Sequence, residues 1–203
     1  MAILGNKEEI DFVVHNYPAV MAVVEALEDT KRDLPIWLTK RISARCKQAE
    51  ELISAIDLTW DIENTNDQVL IYPSDEYFAA EEEYGLYYGV ENITWDALIS
   101  NETDDDGPWI YLYFDLPNRL KKDWVDWKVK VLNAASIAKK QLTQKGYSVL
   151  PDKKDNYIIK LYIADKMNLT HIRENVDEMI DEIIKMLVQA ISDTRKLLIK
   201  IPQ

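Results

Sequence analysis

Apolar residues recur at helical spacing through the first part of the chain. Ile10, Val13, Val14, Tyr17, Met21, Val24 and Leu27 fall on one side of a helix, and Asn6 followed by Glu9 has the form of a helix start. Pro18 is expected to kink this helix or restart it as a first-turn proline. Asp33 and Pro35 predict a second helix, with Leu38, Ile42, Ala49, Leu52, Ile53 and Ile56 on its apolar side. The two are expected to pair as an antiparallel hairpin over 1–57.

The period then changes. Residues 58–63 (LTWDIE) and 68–72 (QVLIY) flank the turn-rich Asn64-Thr65-Asn66-Asp67, which predicts a β-hairpin. Ser74 can cap a short acidic helix over 74–84. The strongest strands are 85–91 (GLYYGVE) and 109–116 (WIYLYFDL), rich in aromatic and branched residues, with Asn101 to Pro108 as the exposed connection. Asn118 opens a long helix that Gly146 stops near Lys145, carrying Leu120, Trp124, Trp127, Val131, Ala138 and Leu142 as its stripe. Strands over 147–150 and 157–163 follow. A last helix from about Thr170 to Lys200 faces Ile172, Val176, Met179, Ile183, Leu187 and Ile191 inward.

This order predicts an α+β fold: an N-terminal helical hairpin, a mainly antiparallel sheet of four to six strands, and two long helices packed mainly on one face. A chain of 203 residues suits a single domain, 1–203, and buries roughly 70% of its unfolded surface. Its parts are the hairpin (1–57), an acidic aromatic sheet region (58–116) and a basic α-β-β-α region (117–203).

Charge alters that picture. Between Lys47 and Arg119 there is no lysine, arginine or histidine, yet 18 aspartates and glutamates. The flanking stretches carry formal charges of 0 and +6, so the segment's −18 dominates the total of −12. Such a segment repels itself, and the basic C-terminal third, bound cations or a basic partner must offset it. Fourteen of the aromatics also lie in 60–127. In 109–116 Ile110, Leu112, Phe114 and Leu116 alternate with Trp109, Tyr111 and Tyr113, so both faces of that strand are apolar. A strand covered on one side alternates with polar residues. The second face therefore lies under another layer or presents aromatic anchors to a partner.

Motifs for chemistry are weak. Glu102 to Gly107 begins like a calcium loop, but Tyr113 stands where the bidentate glutamate belongs. His15 and His171 lack ligand spacing, and the single cysteine, Cys46, allows no internal disulfide. Arg45 and Lys47 flank that thiol and are expected to lower its pKa, though nothing marks it as a nucleophile. No GxSxG, phosphate loop or HExxH occurs, and no metal or cofactor site is expected. No stretch approaches the roughly 18 apolar residues of a membrane span, and the start has too short an apolar run for a signal peptide, so a cytoplasmic protein is expected.

The expectation is a non-enzymatic module that binds a basic protein partner and avoids nucleic acid and membrane. Its surface resembles those of small acidic inhibitors, some of them nucleic-acid mimics, that phages and mobile elements direct against host nucleases and defence complexes. It also resembles immunity proteins that neutralise basic toxins. The carboxylates expected to contribute are Asp61, Glu63, Asp67, Asp75, Glu76, Glu81, Glu82, Glu83, Asp104, Asp105 and Asp106, with Trp95, Trp109, Tyr111 and Tyr113 as anchors. The alternatives are a homodimer seamed by the C-terminal helix and an enzyme using a carboxylate cluster with magnesium.

Overall fold

The branched and aromatic runs form strands and the 3.6-period runs form helices. In the computed structural model, residues 7–49, 60–73, 79–80, 83–84, 86–100, 108–114, 122–150 and 156–197 are described. The chain begins with helices α1 (Lys7–His15) and α2 (Tyr17–Gln48), then strands β1 (Trp60–Asn64) and β2 (Val69–Pro73). The short pair β3 (Ala79–Ala80) and β4 (Glu83–Tyr84) precedes β5 (Leu86–Glu91), helix α3 (Trp95–Ser100) and β6 (Trp109–Phe114). Helix α4 (Lys122–Gln144), β7 (Ser148–Val149), β8 (Tyr157–Tyr162) and helix α5 (Val176–Thr194) complete it, with 3-10 turns over Leu169–Arg173 and Arg195–Leu197.

Six strands make one sheet in the order β1-β2-β5-β6-β8-β7, every neighbour antiparallel. The fold is α+β, as the element order predicts. One sheet face carries Ile62, Val69, Ile71, Tyr88, Val90, Ile110, Leu112, Phe114, Ile159 and Leu161 into the main core. The helices meet it there: α2 with Leu38, Ile42 and Cys46, α4 with Trp127 and Val131, and α5 with Met179, Ile183, Leu187 and Ile191. The apolar side of α5 is thus buried inside the chain.

Polar contacts fix the helical layer. Thr194, fully buried, donates its hydroxyl to the carbonyl of Ala190 (2.6 Å). Its 2.7 Å contact with Tyr88 therefore has the tyrosine as donor, tying α5 to β5. Arg41 and Arg45 of α2 pair with Asp177 and Asp181 of α5 across the helix crossing. At the end of α4, Asp193 accepts from Lys145 (2.5 Å), Tyr147 (3.0 Å) and Gln189 (2.9 Å).

Three expectations are corrected. The N-terminal hairpin does not form, because α2 runs unbroken from Tyr17 to Gln48 with Pro35 inside it. The apolar phase through Leu27, Leu34, Leu38 and Ile42 continues across the proline, and burial of its C-terminal part outweighs the lost backbone bond. The break lies instead at Asn16, where α1 turns 92° from α2 and Pro18 sits in the new first turn. Within 74–84, Ala79–Ala80 and Glu83–Tyr84 pair as a ribbon in place of a helix, and the remaining positions lie outside the described residues. Glu81-Glu82-Glu83 has no base within a helical turn to relieve its repulsion. The last helix begins at Val176, because Asn175 caps it by accepting from the amide of Glu178 (3.2 Å).

Tyr88→Phe should cost about 1 kcal/mol through loss of one buried hydrogen bond. Urea unfolding should show a lower midpoint at unchanged slope.

Candidate functional site

The sheet face away from the helices is built by strands alone among the described residues. Leu70, Trp109 and Tyr111 form its buried floor, and Tyr72, Tyr87, Tyr113, Tyr157 and Tyr162 stand half-buried around them. Trp109 and Tyr111 are only 4% and 1% exposed, because neighbouring rings cover them. The rings meet edge to face: Tyr113 on Tyr157 at 4.9 Å, Tyr111 on Tyr157 at 5.5 Å and Trp109 on Tyr162 at 5.6 Å.

A glycine makes this packing possible. Gly89 of β5 lies opposite Tyr111 of β6, and a Cβ there would stand 2.4 Å from the Tyr111 ring. The ring lies flat across the strand, and its hydroxyl donates to Oε1 of Gln68 (3.2 Å).

Among the described residues the middle of the face holds one carboxylate, Glu91, and one cation, Lys160. Oε1 of Glu91 accepts from the indole N–H of Trp109 and from the hydroxyl of Tyr157 (2.5 Å). Lys160, opposite Tyr111 in the register, holds its ammonium 3.7 Å from the Trp109 ring centroid and 3.9 Å from that of Tyr157. Burial first, then the Glu91 carboxylate, pushes the hydroxyls of Tyr111 and Tyr157 above their ordinary range. The face thus already accommodates a primary amine between aromatic rings.

The expected site residues divide three ways. Asp61 and Glu63 lie on edge strand β1, opposite Tyr72 and Leu70, and so share the aromatic face with Trp109, Tyr111 and Tyr113. Glu63 accepts from the Tyr72 hydroxyl at 2.7 Å. Asp67 sits in the β1–β2 turn, held by Thr65 (3.1 Å). Trp95 opens α3, whose Ala97 and Leu98 enter the main core, so it belongs to the helical side. Glu83 has a described backbone in β4, while Asp75, Glu76, Glu81, Glu82, Asp104, Asp105 and Asp106 lie outside the described residues.

Glu91, one of the acids of the basic-free stretch, completes the face with Tyr72, Tyr87, Tyr157, Lys160 and Tyr162, and these last five were not singled out from the sequence. Simple alternation along 157–162 separates Tyr157 from Lys160 and Tyr162. A register shift at Leu112/Tyr113 leaves Ile158 as an extra residue and returns all three to one side.

The ion pairs among the described residues draw their acids from 28–33 and 177–193. Asp61 and Asp67 enter none of them. Among the described residues no three histidines, cysteines or carboxylates converge as a metal site. The expected lowering of the Cys46 pKa is overturned: the thiol is buried in the core, which pushes it up to about 12. No protein-family model, curated protein or solved structure matches the chain.

Two outcomes follow from this packing. Gly89→Ala should cost roughly 1–3 kcal/mol, because the Tyr111 ring must leave its place; thermal or urea unfolding measures it. The raised tyrosines, Tyr88 and Tyr147 among them, favour the neutral phenol in the folded chain. Their stabilisation is complete below the unfolded value near 10 and is lost as pH rises above it. Alkaline titration should show part of the phenolate absorbance appearing in one cooperative step together with loss of circular dichroism.

Proposed function

We propose that the chain is a non-enzymatic binding module whose acidic, aromatic sheet face occludes a basic, nucleic-acid-binding type of site on a partner protein. The observation that carries this reading is the placement of Asp61 and Glu63 on the same face as Tyr72, Tyr87 and Tyr113. Half-buried tyrosines offer large, stiff contact area with a polar tip, suited to an interface rim and its anchors. The closed floor beneath them holds the surface in shape before a partner arrives, which lowers the ordering cost of association.

Electrostatics favours a basic partner. Carboxylates steer a positively charged surface into contact, and a chain of net charge −12 repels nucleic acid and anionic membrane. Lysine and arginine side chains can stack on Tyr72, Tyr87 and Tyr113 as Lys160 does on Trp109 and Tyr157. A nuclease or defence complex would be blocked at its phosphate-binding residues, as by a phage or mobile-element inhibitor. An immunity protein against a basic toxin would use the same chemistry, and either setting is cytoplasmic.

The triple variant Asp61→Lys, Glu63→Lys, Asp67→Lys tests this reading. Wild type should retain a basic protein from host lysate, and duplex DNA should displace it. The variant should bind that protein at least about tenfold more weakly while keeping its own unfolding midpoint within about 1 kcal/mol of wild type, since all three sites are exposed. Retention of the same protein by the variant, or failure of DNA to compete, overturns the proposal.

A further inference from the structure

Among the described residues, helix α2 is anchored in the core at its C-terminal end. Leu38, Ile42 and Cys46 are buried in the core, whereas residues 22–30 are exposed throughout. With α1 it forms an arm that projects from the folded body. Phe12, Val14, Tyr17, Val23, Val24 and Leu27 on this arm are 42–68% exposed. No single helix is long and apolar enough to cross a membrane among the described residues, although α1 and α2 taken together pass on length and composition.

The arm's apolar residues are ordered. Tyr17, Val20, Val24, Leu27, Lys31 and Leu34 are spaced alternately three and four apart, and the next position in the series is the buried Leu38. This is a heptad seam that emerges from the core: Leu34 still packs against it, Val20 and Lys31 are half-buried, and Tyr17, Val24 and Leu27 are exposed. A seam of that kind interlocks with another of the same period. Within the chain α5 has spent its apolar side in the core, and α4 buries Trp127 and Val131 there while Val125, Val129 and Ile137 stay exposed.

We infer that two copies of this chain associate through their α1–α2 arms. Three observations select a second copy. Tyr17, Val23, Val24 and Leu27 share one side of α2 and are 42–68% exposed, an apolar strip that a helix of the same spacing can cover. From Phe12 to Val24 there is no aspartate, glutamate, lysine or arginine, so two chains of net charge −12 can meet there with least repulsion. Val13, Val14, Val20, Val23 and Val24 make the arm a poor helix former, and it needs permanent cover to stay helical. A copy of the same chain is always present to give that cover. Lys31, paired with Glu28 at 3.2 Å, places one polar residue in the seam, a device that restricts register and partner number.

Sedimentation equilibrium of the full chain tests this. The expected mass is twice 23.6 kDa at low and high salt alike, because the seam is apolar. The double variant Val24→Glu, Leu27→Glu should weaken the dimer by at least about a hundredfold and keep the wild-type far-ultraviolet spectrum, both sites being outside the core. Lys31→Leu should tighten it. A wild-type monomer at about 50 µM, a typical working range for such contacts, overturns the inference; binding of that monomer to neutral lipid vesicles would assign the arm to a membrane. A dimer that survives the double variant also overturns it, since its seam must then lie elsewhere.

Discussion

Everything in this fold answers to the central strand β6. Trp109, Ile110, Tyr111, Leu112 and Phe114 are all buried, so neither side of the strand tolerates water. A sheet with such a strand at its middle needs cover on both faces, or its apolar area is wasted. Helices α2, α4 and α5 cover one side. On the other, among the described residues, the sheet covers itself, with large rings lying across neighbouring strands and against one another. That solution depends on the missing Cβ of Gly89, which lets the Tyr111 ring rest on the backbone of β5. It also depends on Glu91, which takes up the polar ends of Trp109 and Tyr157.

The same architecture separates the charges. The basic side chains of α2 meet acids of α5 across the helix crossing, and Lys145 meets Asp193. On β1 and its turn the Tyr72 hydroxyl donates to Glu63 and the Thr65 hydroxyl to Asp67. Exposed carboxylates of this kind contribute little to folding and much to long-range attraction. Their influence declines over the Debye length, about 8 Å at physiological salt. The aromatic face is therefore acidic along its β1 edge, whereas the arm is apolar and free of aspartate, glutamate, lysine and arginine from Phe12 to Val24.

Much of the fold was legible in the sequence, where local signals and burial agree. The alternation in β6, the turn at Asn64 to Asp67, the stop at Gly146 (φ +96°) and the stripe on α5 all led to the right elements. Pro35 misled because its local preference opposes a helix whose apolar phase is continuous. The site was half legible. Doubly apolar β6 revealed that the second face was special. Tyr157 and Lys160 could not be added, because their common face depends on a bulge that only pairing with β6 creates. Gly89 carried no signal apart from its partner ring.

The most direct test of the central claim is a resonance titration of the isotope-labelled chain with an arginine-rich peptide. The account predicts amide shifts centred on β1, β2 and the adjoining Tyr87 and Tyr113, weakening as salt is raised, with the α5 amides unmoved. Shifts centred on the helical layer, or no shifts at low salt, would contradict it.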